Sequence, residues 1–286
     1  MGDKPLIGLI GPGAMGEALI VGLLQKGITT PERILAAGPI VERGEELHQR
    51  YGVVALSDNV QAVKNADLVI LSVKPQRINR VLDGLKNHIP ETALVLSIVA
   101  GATIQKISDG LNHDLIIRAM PNTPAQIGEG ISLWTASPSV SDEQLEFGRL
   151  VLTALGQEIY EEDEAYLDMA TALSGSGPAY VFLFMEALID AGVHMGFSRR
   201  TSEQLVTQTI LGSVSYYKKI GIHPAQLRNQ VTSPGGTSAE ALYYLEKAGF
   251  RTAISRAIWA AYERSKELGK GLNTQPPERG KVDSSN

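Results

Sequence analysis

The stretch Gly11-Pro-Gly-Ala-Met-Gly16 lies between an apolar run at residues 5–10 and a segment, 17–25, whose apolar residues recur at helical spacing and stop at Gly27. A lone G-x-G-x-x-G is a weak signal. Placed after a strand and at the start of a helix, it constrains the chain to a βαβ unit with a phosphate-binding turn. Gly11 makes the tight turn, Gly13 lets a pyrophosphate approach the backbone, and Gly16 packs helix against strand. The helix N-terminus then faces the phosphates with unpaired N–H groups.

The pattern continues through the first half. Apolar runs at 34–37, 53–55, 68–73, 93–98 and 115–120 read as strands, and helical patterns lie at 43–50, 58–65, 76–87 and 103–111. Continuous apolar strands separated by helices predict a parallel sheet covered on both faces, the α/β doubly wound, Rossmann-type layout. Residues 131–135 and 158–160 extend it, with a helix at 142–155 between them.

Strands stop at about residue 164, and helical patterns follow at 166–173, 179–195, 202–220, 224–230, 238–247 and 251–268. The expected domains are 1–163, nucleotide-binding, and 164–268, all-helical and serving dimerisation and substrate binding, with the acidic run 161–164 as hinge. A tail, 269–286, without apolar periodicity is expected to be disordered. The helix at 179–195 is apolar nearly all round, so it needs burial on every side. An interlocked homodimer, open to higher homo-oligomers, meets that need, and a central helix within one monomer is the alternative.

Composition removes other classes. A net charge of −5 leaves no basic face for nucleic acid. The absence of cysteine excludes disulfides, thiolate metal sites and a Cys nucleophile, and fits a cytoplasmic setting. The five histidines show no metal spacing, so no metal is expected. No signal peptide is read at the start, and the apolar run at 179–189, bounded by Glu186 and Asp190, is too short for a membrane span.

An NAD site wants an acid about 20 residues beyond the glycines to bind the ribose 2′-hydroxyl. Here the stretch is Leu35-Ala-Ala-Gly-Pro39, without an acid, and the nearest base is Arg43. NADPH is therefore the expected cofactor, with NADH as a second choice. Lys74, in Ser72-Val-Lys-Pro75 at a strand's carboxyl end, reads equally as a base, a phosphate partner or a solvent-facing lysine. Asn59 can bond the ribose or cap the next helix, as can Ser57 or Asp58. Ala119-Met-Pro-Asn-Thr-Pro124 reads as a rigid loop at the nicotinamide or as a structural turn.

Far downstream lies Val231-Thr-Ser-Pro-Gly-Gly-Thr-Ser238. Thr237-Ser-Ala-Glu240 matches a capping box with Thr237 as N-cap. Gly235 and Gly236 let the chain approach a ligand, and the N–H groups suit a carboxylate, with the Ser238 hydroxyl close to it. Ser174-Gly-Ser-Gly-Pro-Ala-Tyr180 reads as the rigid entry to the apolar helix, bordering the site.

With these segments, almost the whole chain, to about Gly269, resembles the pyrroline-5-carboxylate reductases. The likeness rests on Ile10-Gly-Pro-Gly-Ala-Met15, Ser72-Val-Lys-Pro75, Arg118-Ala-Met-Pro-Asn-Thr-Pro124, Leu173-Ser-Gly-Ser-Gly-Pro-Ala-Tyr180 and Val231-Thr-Ser-Pro-Gly-Gly-Thr237, in the family's order. It implies reduction of the C=N bond of L-1-pyrroline-5-carboxylate to L-proline with NADPH or NADH, the last step of proline synthesis. The cofactor surface it implies comprises Ile10, Gly11, Pro12, Gly13, Ala14, Met15, Gly38, Asn59, Ser72, Val73, Lys74, Pro75, Ile98, Val99 and Ala100. Glu164, Gln230, Thr237 and Ser238 correspond to positions around the substrate; the reading of the turn adds Ser233, Gly235 and Gly236, and assigns proton donation to Ser238 or an ordered water. Many members carry Thr at the Ser238 position, and some carry Asn at that of Gln230. A hydroxyacid reductase would be expected to place a catalytic Lys on the helix at 179–195, which has none. Intact glycines argue against a non-catalytic regulator.

Overall fold

The computed structural model describes residues 4–269, so the tail predicted as disordered lies outside the described residues except Gly269, which ends a helix. The described chain divides into two compact units, residues 4–176 with 261–269, and Gly177–Ala260.

The first unit is built on β1 (Ile7–Ile10), α1 (Ala14–Gln25), β2 (Ile34–Ala37), α2 (Val41–Tyr51), β3 (Val54–Leu56), α3 (Asn59–Val63), β4 (Leu68–Leu71), α4 (Ile78–Leu85), β5 (Leu94–Ser97), α5 (Ile104–Leu111) and β6 (Ile116–Met120). It continues through β7 (Gly130–Ala136), α6 (Asp142–Thr153), β8 (Gly156–Tyr160) and α7 (Tyr166–Ala170). The strands form one sheet in the order β3-β2-β1-β4-β5-β6-β7-β8, parallel except where β7 runs antiparallel to β6. The reversal has a simple cause. Only a short 3₁₀ turn, Thr123–Ile127, joins β6 to β7, too little chain for a crossover, whereas α6 carries β7 to a parallel β8.

Both faces of the central sheet are covered, which is why β1, β2 and β4 are apolar without interruption. Leu9, Leu68, Ile70, Leu94 and Leu96 pack with Leu19, Leu23 and Trp134 on one side. Ile10, Val69, Leu71 and Val95 pack with Val63, Leu82 and Ile107 on the other. Successive strand residues alternate between the two cores, as the two-residue period of a strand requires.

A π-helical turn, Thr171–Gly175, follows α7. The Ser176 N–H donates to the Thr171 carbonyl at 2.8 Å, and the Ser174 hydroxyl donates to the Ala170 carbonyl at 3.0 Å. The glycine-hydroxyl run at 174–180 is thus helix carrying a bulge, not a loop ahead of a helix. Gly175 is needed there because a Cβ would lie 2.7 Å from Met120 Cε.

The second unit holds α8 (Gly177–His194), α9 (Arg199–Ile220), α10 (Pro224–Gln230), α11 (Thr237–Lys247) and the first part of α12 (Phe250–Gly269). Helices α8 and α9 meet at Gly192, whose missing Cβ would stand 2.6 Å from the Ser202 hydroxyl. Little else is buried. Phe182 is 60% exposed, Leu183 66% and Leu211 59%. The helical run Tyr166–His194 spans 29 residues and contains an 18-residue stretch with mean hydropathy 1.3. It is long and apolar enough to cross a membrane by length and composition alone, a test that the core helix of a soluble protein also passes.

Candidate active site

In the first unit, strand register gathers the nucleotide-binding candidates. Ile10 is level with Ala37 and Leu71, Ala37 with Leu56, and Leu71 with Ser97. The loops leaving these positions emerge along one carboxyl edge, where ligands sit in open α/β sheets. Gly11 turns there with φ +88°, and a Cβ on it would lie 2.6 Å from Val73 Cγ1. A Cβ on Gly16 would press on Leu9 Cδ2 at 3.1 Å, whereas one on Gly13 would meet nothing within 4 Å. So Gly16 serves helix–strand packing, and the space before Gly13 is open. Among the described residues the N–H groups of Ala14, Met15 and Gly16 have no acceptor, while the Glu17 N–H donates to the Gly13 carbonyl at 2.8 Å. These unpaired donors and the helix dipole suit a pyrophosphate.

The neighbouring loops are tied to the same edge. The Gly38 N–H donates to the Leu56 carbonyl at 3.1 Å, and the Ser72 and Ile98 N–H groups donate to Ile10 and Leu71 at 2.9 and 3.0 Å. Asp58, not Asn59, caps α3 by accepting from the Val60 N–H at 2.9 Å. Lys74 is exposed and opens a 3₁₀ turn, Pro75–Arg77, without an ion-pair partner among the described residues. Val99 is buried, with its N–H donating to Ser97 Oγ at 3.3 Å. Asn122 Oδ1 accepts from the Ile131 N–H at 3.0 Å, so its side chain braces the β6–β7 connection.

Arg43, from the first turn of α2, reaches back to this loop. Its Nε–H donates to the Pro12 carbonyl at 3.1 Å, its Nη2 pairs with Glu17, and its Nη1 donates to Glu46 at 2.6 Å. Glu17 also accepts from the Tyr51 hydroxyl at 2.6 Å and pairs with Arg50 at 2.5 Å. Burial pushes the Glu17 carboxyl up, but the Tyr51 hydroxyl, Arg43 and Arg50 outweigh it and hold the group below the usual carboxylate range. The hydrogen bond to Glu17 raises the Arg43 guanidinium above its ordinary value.

In the second unit, Gln230, Ser233, Gly235, Gly236, Thr237 and Ser238 come together in the turn from α10 into α11. Gly235 has φ +71°, and the Gly236 N–H donates to the Ser233 carbonyl at 3.0 Å. The expected capping box is not formed. The N-cap is Gly236, which has no side chain, and Thr237 is the first helical residue. The Ala239 and Glu240 N–H groups both turn to the Gly236 carbonyl, and among the described residues those of Thr237 and Ser238 have no acceptor. By contrast, Ser141 and Gln144 complete a capping box at α6. A glycine N-cap leaves open the donors that a Thr cap would have consumed.

Glu164 stands in the first unit, and its partners are unforeseen. Its Oε1 accepts from the Ile104 N–H at 2.8 Å and from Arg118 Nη1 at 2.7 Å. Arg118 is buried, with Asp168 at 3.6 Å on its other side, and Asp168 in turn accepts from the Ser265 hydroxyl at 2.8 Å. Glu164 thus anchors the start of α5, immediately after the loop that carries Ile98, Val99 and Ala100.

Two family models match: pyrroline-5-carboxylate reductase dimerisation over residues 164–268, and NADP oxidoreductase, coenzyme F420-dependent, over residues 6–101. The pyrroline-5-carboxylate reductase of Synechocystis is 42% identical over 264 residues, covering 92% of this chain and 98% of its own. The chain belongs to the pyrroline-5-carboxylate reductase family. Solved pyrroline-5-carboxylate reductases share its fold. That of Plasmodium falciparum, solved with NADP bound, superposes with a TM-score of 0.86 at 35% identity over 94% of this chain and all (100%) of its own. That of Coxiella burnetii gives 0.84 at 37%, over 93% and 99%. An imine reductase of Streptomyces aurantiacus, at 15% identity and a TM-score of 0.52, shows the fold alone.

For a pyrroline-5-carboxylate reductase, the network Glu17–Arg43–Arg50–Tyr51 and the tie of Arg118 to Glu164 are the features that sequence reasoning missed. Arg118 stands inside a motif read for its prolines, and the only signal was an arginine in an otherwise apolar strand. Glu17 and Tyr51 are 34 positions apart and carry no pattern.

Proposed function

We propose that this chain reduces L-1-pyrroline-5-carboxylate to L-proline, with NADPH as hydride source and NADH as a second donor. The observation that carries the reading is the pair of N–H groups at Thr237 and Ser238, without an acceptor among the described residues and behind a glycine N-cap, in a chain alike to reductases of this name along nearly its whole length. A nicotinamide cofactor, when bound, supplies hydride. The residues fit it: the open space at Gly13, the free N–H groups of Ala14, Met15 and Gly16, and the absence of an acid at the end of β2 suit a pyrophosphate and a phosphorylated ribose. Ile10–Met15, Gly38, Asn59, Ser72–Pro75 and Ile98–Ala100 form that surface.

The turn at 233–238 holds the substrate carboxylate through the Thr237 and Ser238 N–H groups and the Thr237 hydroxyl. Gly235 and Gly236 keep side chains out of the way. The Ser238 hydroxyl donates a proton toward the ring nitrogen, which makes the imine carbon more electrophilic. Gln230, at the end of α10, adds a substrate contact beside this turn. Positioning supplies most of the rate.

Residues 1–163 act as the nucleotide domain and 164–268 as the helical domain, the latter coinciding with the dimerisation family match. A homodimer covers the exposed apolar surface of α8 and α9, and higher assembly of dimers is compatible with it. The proposed setting of the reaction is the cytoplasm. The test is direct: purified protein is mixed with NADPH and pyrroline-5-carboxylate, and loss of NADPH absorbance is followed with proline formation. Absence of both sinks the reading.

A further inference from the structure

The acid-and-arginine cluster beside the phosphate loop has no place in the chemistry above, yet it sits at the ribose end of that loop. Two contacts establish the position. Gly38, the residue after β2, lies so close to Pro12 that a Cβ would be 2.9 Å from its Cδ. Arg43 donates to the carbonyl of the same Pro12 at 3.1 Å. The end of β2 is where a dinucleotide's adenosine ribose is read, and an arginine near it accommodates a 2′-phosphate. The Arg43 side chain is 23% exposed, so it is only partly withdrawn from solvent.

That guanidinium is already engaged. Glu17 holds Nη2 and Glu46 holds Nη1, while Arg50 bridges both acids, at 2.5 and 3.1 Å. Two arginines and two glutamates sum to no net charge, so a 2′-phosphate arriving here meets a neutral cluster in place of a free cation.

We propose that Glu17, assisted by Glu46, sets the cofactor preference of this enzyme by withholding Arg43 from the ribose 2′-phosphate, so that phosphorylated and plain dinucleotides are both accepted. The proposal rests on the reductase reading only for the presence of a nicotinamide dinucleotide. Glu17 is a positioning residue: it acts through Arg43 and touches no substrate.

The experiment uses the full chain and two probes, 2′,5′-ADP and 5′-AMP, titrated calorimetrically, with NADPH and NADH binding followed in parallel by fluorescence. The wild type separates the two probes by less than about tenfold. Glu17→Gln removes one negative charge and weakens the hold on the guanidinium, and it raises selectivity for 2′,5′-ADP by about tenfold, the scale of one charge-assisted contact, with 5′-AMP affinity unchanged. Arg43→Ala moves selectivity the other way. In the double variant the Glu17 effect disappears, because there is no guanidinium left to release. Glu46→Gln, at an exposed position less exposed to folding risk, shifts selectivity in the direction of Glu17→Gln by a smaller factor. Unchanged selectivity in both acid variants overturns the proposal, as does a Glu17 effect that survives Arg43→Ala. Failure of wild type to bind either dinucleotide would instead strike the reductase reading itself.

Discussion

Thr237 and Ser238 stand in the first turn of α11 with N–H groups that no other described residue satisfies. Unpaired donors at a helix start bind anions, and a hydroxyl beside them can pass a proton. Ser238→Ala is therefore expected to lower turnover on the imine by about 10²-fold while the dissociation constant for NADPH stays within about twofold. Unchanged turnover would remove Ser238 from the chemistry. Gly13 gives a complementary case. Because a Cβ there meets nothing within 4 Å, Gly13→Ala should leave the free protein's melting temperature intact. Nucleotide affinity should still fall, and Gly13→Asp should abolish binding. Retained binding in Gly13→Asp would mean that the loop is misassigned. Glu17 brings a pH effect of definite sign. Its folded carboxyl is held low, so it contributes stability above the unfolded carboxylate range, and that contribution fades as pH falls through the folded value. The melting-temperature gap between wild type and Glu17→Gln should accordingly narrow on acidification; a gap that widens would contradict the assignment.

At the scale of elements, close approaches are set by missing side chains and buried charge. A Cβ on Gly22 of α1 would lie 2.3 Å from the Ala154 carbonyl oxygen, a backbone atom that cannot step aside. Gly22→Ala is expected to cost about 1–3 kcal/mol through overpacking, read as a lower denaturation midpoint with the cofactor's Kd unmoved. The tie between β6, α5 and α7 is stronger. Arg118 is 3% exposed and holds Glu164 at 2.7 Å, so Arg118→Ala leaves two carboxylates without their counter-charge. Urea unfolding should show a loss of about 3–5 kcal/mol. A loss below about 1 kcal/mol would mean that the pair behaves as a solvated surface bridge. Element types were legible from the sequence because period-2 and period-3.6 patterns are local. The antiparallel turn of β7 was not, since it depends on how far a short connection can travel. The π turn at Thr171–Gly175 was hidden as well, because Ser and Gly read as loop residues until a helix carries their hydroxyls back onto its own carbonyls.

For the whole molecule, the exposed apolar side chains of the helical unit decide the expectation. Phe182, Leu183 and Leu211 on α8 and α9 are each more than half exposed. Contiguous apolar surface of that kind marks an interface. Light scattering behind size exclusion should therefore return at least twice the chain's 30.7 kDa, and Leu183→Glu should shift it toward the monomer with loss of solubility. A soluble wild-type monomer would sink the dimer. The sequence by itself determined the alternation of strands and helices, the phosphate loop and the family motifs, because each is written in neighbouring residues. Only the tertiary structure decided that Gly236 replaces Thr237 as N-cap, that Glu164 answers to Arg118 and the Ile104 amide, and that Glu17 holds Arg43 against Pro12. Those outcomes depend on groups far apart in the chain competing for the same donors and charges, and that competition exists only once the fold has brought them within reach.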